Sequence, residues 1–207
     1  MELERAQSRI EQDEETVIAP SLHHVFLKTT RYEQMREWYA TAAGFRPTFV
    51  FADGNSAFLT NDDANHRIVL YTSPQIVADA DQRSHAGMHH MAFEYDSLED
   101  LITSYRRLRG QGIVPHACLN HGPCTSFYYE DPDGNSVEMQ ADNFGDWAQS
   151  RAFMATAEFA AEPIGIQVDP ERLADALEAG ASAEQINRRS YAGEFDPGTP
   201  LDLHLPV

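Results

Sequence analysis

An internal repeat constrains the fold of this chain more than any other feature of its sequence. The segment LHHVFL at residues 22–27 resembles MHHMAF at residues 88–93, and the two copies lie 66 residues apart. Matches held at one offset over a long stretch are hard to obtain by chance, so we infer a duplicated module. The same offset relates three pairs of residues: His24 and His90, Tyr39 and Tyr105, Gly44 and Gly110.

Each copy predicts one strand, one helix and then three strands. Val25 and Leu27 alternate with their neighbours at a period of two, which favours a strand, and an apolar stripe of helical spacing follows up to Gly44. The second copy has the same order, with Ser97 as the expected helix N-cap and Gly110 as the expected stop. Runs rich in β-branched and aromatic residues predict the remaining strands at residues 45–51, 56–59, 67–72, 113–119, 125–129 and 136–140.

The repeat also divides the 207 residues into parts. We expect an α+β fold of two βαβββ modules that form a cup, followed by a helical extension. Within that extension we expect a helix near residues 147–159, a second that begins at Asp169-Pro170, and a third capped by Ser182 and Gln185. The expected parts are an N-terminal tail (1–20), a first module (21–72), a linker (73–87), a second module (88–142) and a C-terminal extension (143–207).

Charge and hydrophobicity restrict the partners. The chain has 15 Lys and Arg against 33 Asp and Glu, and this net charge of −18 works against binding to nucleic acid. No run approaches the roughly 20 apolar residues that span a bilayer, and the charged N-terminus does not resemble a signal peptide. We therefore expect a cytoplasmic protein that binds neither nucleic acid nor membrane, and we expect a homo-oligomer.

Strand alternation places three polar side chains on one surface. Since the apolar residues of each strand should pack beneath the helices, the intervening positions face the other way. His24, His90 and Glu138 occupy such positions and should converge in the concave cup. The same alternation puts His23 and His89 on the opposite strand face, and we interpret them as structural.

These features resemble the vicinal oxygen chelate superfamily. The similarity rests on the paired modules, a histidine on the first strand of each, and a glutamate on the last strand after Asp131-Pro132-Asp133-Gly134. It is greatest to the type I extradiol ring-cleaving dioxygenases, of which this chain would be a single-domain member. The resemblance implies Fe(II), with Mn(II) as the alternative, held by His24, His90 and Glu138. It also implies a catechol substrate and O2.

The resemblance further implies three catalytic residues. The segment His121-Gly122-Pro123, with Tyr128 after it, is similar to the signature whose histidine and tyrosine line the substrate pocket. The stretch around His66 resembles the place of an acid/base histidine. His66 would manage the proton that leaves the diol, and His121 or Tyr128 would assist oxygen insertion. Strict alternation from Val69 points His66 away from the cup, although this rule is loose at a strand end.

Val69 separates two branches of the superfamily. Aligning residues 67–70 with residues 136–139 puts Val69 opposite Glu138, so the fourth ligand of glyoxalase-like lyases is missing. Three ligands leave open positions for a diol and O2. Two alternatives stay open. One is a non-redox member that uses Mg(II), Mn(II) or Zn(II), such as an epimerase, lyase or thiol transferase. The other is a non-catalytic module that sequesters a small molecule.

Overall fold

Two βαβββ modules follow each other in the computed structural model, which describes residues 19–206. They confirm the predicted fold class, whereas all but two residues of the predicted N-terminal tail lie outside the described residues. The first module comprises β1 (Val25–Lys28), α1 (Tyr32–Ala43), β2 (Arg46–Val50), β3 (Ser56–Thr60) and β4 (Ile68–Tyr71). The second comprises β5 (His90–Tyr95), α2 (Leu98–Arg109), β6 (Ala117–Asn120), β7 (Cys124–Glu130) and β8 (Ser136–Asp142).

Each module builds its own sheet. The strand order is β1-β4-β3-β2 in the first sheet and β5-β8-β7-β6 in the second. The first and last strands of each module run parallel, with Phe26 opposite Val69 in one and Ala92 opposite Glu138 in the other. Val69 and Glu138 therefore hold equivalent positions in the two sheets, as the alignment of the repeats predicts.

The helices of both modules cover one shared hydrophobic core. On α1, Met35, Tyr39 and Ala42 are fully buried at helical spacing, and the helix ends at Gly44, whose positive φ of 70° closes the last turn. On α2, the side chain of Ser97 accepts a hydrogen bond from the Asp100 amide, as its predicted role as N-cap requires. Burial of each large apolar side chain stabilises the fold by about 1.5–3 kcal/mol.

A turn of the second module fastens the two modules to each other. The hydroxyl of Tyr39 on α1 donates to the carboxylate of Asp131 at 3.0 Å. Asp131 also accepts from the Asp133 and Asn135 amides, which shapes the turn before β8. In the same turn the Pro132 carbonyl accepts from Arg31 at 2.6 Å. These bonds fix where β1 lies relative to β8, and so fix the geometry of the cup.

The extension packs on the second module. The helix expected near residues 147–159 is two helices, because the side chain of Thr156 accepts from the Phe159 amide and begins the second one. Asp169 and Ser182 cap their helices as predicted. An additional short strand pairs with the edge strand β6. The elements are α3 (Trp147–Met154), α4 (Ala157–Ala161), β9 (Ile166–Gln167), α5 (Pro170–Glu178) and α6 (Ala183–Tyr191).

None of the helices within residues 19–206 has the length and apolar character to cross a membrane.

Candidate metal centre and active site

A cavity of about 810 Å³ opens where the two modules meet, and a histidine from each module lines it. His24 directly precedes β1, and His90 is the first residue of β5. The neighbouring residues Leu27 and Met91 are buried in the core. The alternation of the strands therefore turns both histidines toward the concave side.

Glu138 provides a buried negative charge beside His90. The side chain lies in the middle of β8 and is only 6% exposed. One carboxylate oxygen is 2.9 Å from Nε2 of His90, and the other accepts from the Tyr128 hydroxyl at 3.1 Å. Burial alone would raise the pKa of Glu138, but hydrogen bonds from His90, Ser126 and Tyr128 lower it below its ordinary value. The carboxylate is therefore ionised at neutral pH.

Tyr128 links this carboxylate to His121. The Nε2 atom of His121 lies 2.9 Å from the Tyr128 hydroxyl, and Nδ1 lies 2.6 Å from the carbonyl oxygen of Ile164. A carbonyl can only accept, so Nδ1 of His121 carries a proton. Burial lowers the pKa of His121, which favours the neutral ring with Nε2 as an acceptor. The single hydroxyl proton of Tyr128 can then point either to His121 or to Glu138.

Gly165 allows the extension to reach His121. Its φ is +96°, and a Cβ atom there would lie 2.4 Å from the carbonyl oxygen of Asn120. Only glycine fits this close approach of two backbones. It brings the Ile164 carbonyl onto the His121 ring, so the extension takes part in the candidate site.

The remaining histidines of the site gather in the first module. The ring of His66 stacks on Phe58, with centroids 4.5 Å apart and planes 16° apart. It also lies 4.6 Å from the His24 ring and 4.9 Å from the His23 ring. Burial lowers the pKa of His66, and His24 and His23 lower it further. His66 is therefore neutral at neutral pH.

Strict strand alternation does not hold at two histidines of the first module. His66 does not point away from the cup but lies beside His24, because β4 begins only at Ile68. His23 does not lie on the face opposite to His24, since β1 begins at Val25 and the exposed His23 ring lies against that of His24. The period of two applies only within a strand, and both residues precede one.

The potential metal ligands fall into two sets that share His24. Among residues 19–206, the group of at least three histidine, cysteine or carboxylate ligands whose donor atoms all lie within 4.8 Å is His23, His24 and His66. His24 and His90 line the same cavity, and His90 is in contact with Glu138, which places the second set around His90.

The chemistry of the second set fits a hard divalent ion. Two imidazoles and one carboxylate with open positions are typical of non-haem Fe(II), and they also suit Mn(II). Glu138 supplies the anionic ligand, and its surroundings keep it ionised. The three imidazoles of the first set carry no such negative charge.

An aromatic surface faces the cup from the first module, and sequence reasoning missed it. The outward positions of β1, β3 and β4 carry Phe26, Phe58 and Tyr71. Phe26 is 55% exposed, and its ring lies 6.1 Å from that of Tyr71. Val69 lies between them on the same face, since Ile68 and Leu70 belong to the core. The alternation that placed His24 on the concave side could have found these residues.

Comparison with known proteins identifies the family. Residues 21–139 match the Glyoxalase/Bleomycin resistance protein/Dioxygenase superfamily. The chain is 38% identical over 181 residues to biphenyl-2,3-diol 1,2-dioxygenase 2 of Rhodococcus globerulus. The matched residues cover 87% of this chain and 94% of that protein. It is 35% identical to biphenyl-2,3-diol 1,2-dioxygenase 3 of the same organism, over 84% of this chain and 91% of that protein. The chain therefore belongs to this superfamily, the vicinal oxygen chelate superfamily, and to its extradiol ring-cleaving dioxygenases.

A solved structure has the same fold. The glyoxylase/bleomycin resistance protein/dioxygenase domain from Frankia sp. EAN1pec superposes with a TM-score of 0.51 at 18% identity. The superposition covers 60% of this chain and 98% of that one.

Proposed function

We propose that this protein is an Fe(II)-dependent extradiol dioxygenase that opens the ring of a catechol with O2. The observation that carries the proposal is the buried contact of Glu138 with His90, backed by Tyr128 and His121. The similarity to two biphenyl-2,3-diol dioxygenases favours a catechol with an apolar substituent.

His24, His90 and Glu138 would hold the iron. When bound, Fe(II) supplies a template for the two diol oxygens and O2 and a path for electrons between them. Mn(II) could serve in the same place, since the donors are nitrogen and oxygen atoms. Val69 stands where a fourth ligand would otherwise compete with the substrate.

His66 would accept the proton that the diol loses on binding. Its ring is neutral at neutral pH because burial and the adjacent histidines lower its pKa. A neutral imidazole offers one unprotonated nitrogen, as a general base requires. The ring lies next to that of His24, which lines the cavity.

Tyr128 and His121 would hold a second proton during ring cleavage. When His121 accepts a proton at Nε2, that atom donates to the Tyr128 oxygen, and the hydroxyl proton turns to Glu138. When His121 gives the proton up, the hydroxyl donates to His121 again. The contacts of 2.9 and 3.1 Å permit both arrangements without moving a side chain.

The aromatic surface of the first module would bind the ring of the substrate. Phe26, Phe58 and Tyr71 offer ring faces and edges of the kind that pack against another aromatic ring. Contact with the substrate ring would also displace water from the exposed face of Phe26.

A second arrangement is favoured by the cluster of His23, His24 and His66. Three imidazoles within 4.8 Å resemble the ligand set of a catalytic zinc site. A metal bound there would leave Glu138 without a ligand role. This arrangement corresponds to a non-redox member of the superfamily.

Oxygen uptake tests the proposed function. The protein is loaded with Fe(II) under argon and then mixed with catechol, 3-methylcatechol or 2,3-dihydroxybiphenyl in an oxygen electrode. We expect one O2 consumed per diol and a yellow ring-opened product. Protein loaded with Zn(II) is the control and should consume none. A diol that stays intact with fully iron-loaded protein would contradict the proposal.

A further inference from the structure

A segment near the C-terminus touches the residue before the metal-binding histidine of the second module. The Nε2 atom of His89 lies 2.7 Å from the carbonyl oxygen of Leu203, 114 residues further along the chain. The Leu203 side chain packs against a small cluster that contains Leu119 and Tyr128. We name residues 201–205 the strap.

This contact decides where the protons lie on two adjacent imidazole rings. The Leu203 carbonyl can only accept, so Nε2 of His89 carries a proton and Nδ1 of the neutral ring is an acceptor. That Nδ1 atom is 2.7 Å from Nδ1 of His90. His90 must therefore donate from Nδ1. Its Nε2 atom faces Glu138 at 2.9 Å and donates to that carboxylate in the metal-free protein, so Nε2 is the nitrogen that would exchange its proton for a metal.

We propose that His89 is a positioning residue for His90, and that the strap holds His89 in this role through the Leu203 carbonyl. The hydrogen bond fixes the tautomer and the orientation of the ring that His90 needs as a ligand. The proposal rests on the proposed ligation of the metal by His90.

The first module offers an internal contrast. His23 and His24 repeat the arrangement, with their Nδ1 atoms 3.1 Å apart. In the part of the chain that the structure describes, the His23 ring makes no hydrogen bond besides this one. Within residues 19–206 no carbonyl fixes the tautomer of His23, so the two modules differ at this position.

The strap is itself held in place. The Asp202 carbonyl lies 3.0 Å from Nδ1 of His116. The buried ring of His204 stacks on that of His116, with centroids 3.6 Å apart and planes 10° apart. His204 has a positive φ of 58°, which is uncommon for residues other than glycine and turns the chain sharply after Leu203. These contacts present the Leu203 carbonyl to His89.

Nitrogen NMR of the intact protein tests the proton positions directly. Protein labelled with 15N histidine is examined metal-free and with Zn(II), which is diamagnetic. We expect the proton of His90 on Nδ1 and that of His89 on Nε2 in both forms. A His90 ring without a proton on Nδ1 overturns the proposal. This result is independent of whether Glu138 binds a metal, so it separates failure of the proposal from failure of the proposed function.

Metal affinity measures what the contact contributes. His89→Phe keeps the size of the ring but removes the acceptor, and we expect Co(II) binding to weaken by about 10- to 100-fold. His89→Asn places an amide oxygen near the position of Nδ1 and should restore most of the affinity. The matched control is His85→Phe, because the ring of His85 is exposed and pairs with Asp79. Equal affinity of His89→Phe and the control would contradict the proposal.

Removal of the strap tests its part in the effect. A chain that ends at residue 200 should lose affinity to the same extent as His89→Phe, and combining the two changes should add nothing. Leu203→Ala keeps the carbonyl and should retain the affinity of the unchanged protein. Additive losses, or a loss in Leu203→Ala equal to that of the shortened chain, would show that the strap acts by packing alone.

Discussion

The two modules have one topology but very different concave faces. In the first module, His24 and Phe26 are exposed and the surface is aromatic. In the second, Glu138 is buried, and its carboxylate contacts both His90 and Tyr128. The extension contributes to this difference because it packs on the second module, where β9 extends the sheet and Leu203 packs beside Tyr128.

The difference shows how a duplicated unit can divide the work of one site. A buried carboxylate and a shared proton need defined partners, and the extension helps to supply them through backbone carbonyls. Ile164 accepts from His121, and Leu203 accepts from His89. The first module would supply one ligand, one base and a surface for the aromatic ring.

The largest effect is expected at the base of the first module. His66→Ala should lower turnover by about 10²- to 10⁴-fold, the usual contribution of a positioned acid/base group, while the metal stays bound. Steady-state oxygen uptake with saturating catechol and metal analysis of the same sample measure both quantities. His85→Ala is the control. An unchanged rate would show that His66 is not the base, so that the first module would supply no acid/base group to the reaction.

The second prediction concerns a substitution that gives the first module the carboxylate of the second. Val69 is 3% exposed and occupies the position equivalent to Glu138. Val69→Glu should bring a carboxylate to the cup and lower dioxygenase activity by about 100-fold, because it competes for the positions of diol and O2. The metal should remain bound. Val69→Gln has the same size without the charge and should affect activity less.

A loss of stability in Val69→Glu would contradict this prediction. A variant that loses several kcal/mol of stability, with no change in the spectrum of its bound metal, would indicate a carboxylate buried without a partner. Val69 would then not face the cup, and the comparison between the modules would lose its basis.

Most of the fold could be predicted from the sequence, because the repeat and the caps are local signals. Ser97 and Asp169 cap the expected helices. The two-residue strand β9 could not be predicted, since so short a segment has no period. The contact of His89 with Leu203 joins residues 114 positions apart and leaves no trace in local patterns. The placement of His23 failed because alternation was extended beyond the start of a strand.

A smaller effect is expected where the extension meets the second module. Gly165→Ala places a methyl group against the Asn120 carbonyl at a φ of +96°, and it should cost about 1–3 kcal/mol of stability. It should also slow turnover with the metal retained, because the Ile164 carbonyl no longer reaches His121. The control is Gly198→Ala, at a φ of +66° with no atom within 4 Å of the added group. Urea unfolding and oxygen uptake should separate the two variants, and equal effects would contradict the role of the close approach.

The smallest expected effect is a pH dependence of the strap. Burial lowers the pKa of both His116 and His204 below the ordinary value of about 6.5. The unfolded rings therefore bind protons more readily, so their contribution to stability is present above about pH 6.5 and is lost as pH falls below it. Amide exchange of residues 201–205, followed between pH 5 and 8 and corrected for the intrinsic rate, should become faster on the acid side.

The charges around the strap act in both directions on His204. Arg83 and His89 lower its pKa, while Asp202 and Glu130 raise it, and all of these contributions are smaller than that of burial. His116→Phe keeps an aromatic ring in the stack and removes one titrating group, so it should flatten the pH profile. If the pH profile of amide exchange were the same in this variant and the unchanged protein, groups other than His116 would cause the faster exchange.

The metal affinity of Glu138→Gln tests most directly whether the second module holds the metal. Anaerobic Fe(II) titration of this variant, beside His23→Gln and the unchanged protein, distinguishes the two ligand sets. The substitution keeps the volume of the side chain but removes the only anionic ligand. We predict a severe loss of bound iron with a near-native melting temperature, and full iron binding in His23→Gln. Full iron content in Glu138→Gln, together with its loss in His23→Gln, would contradict the account and place the metal in the first module.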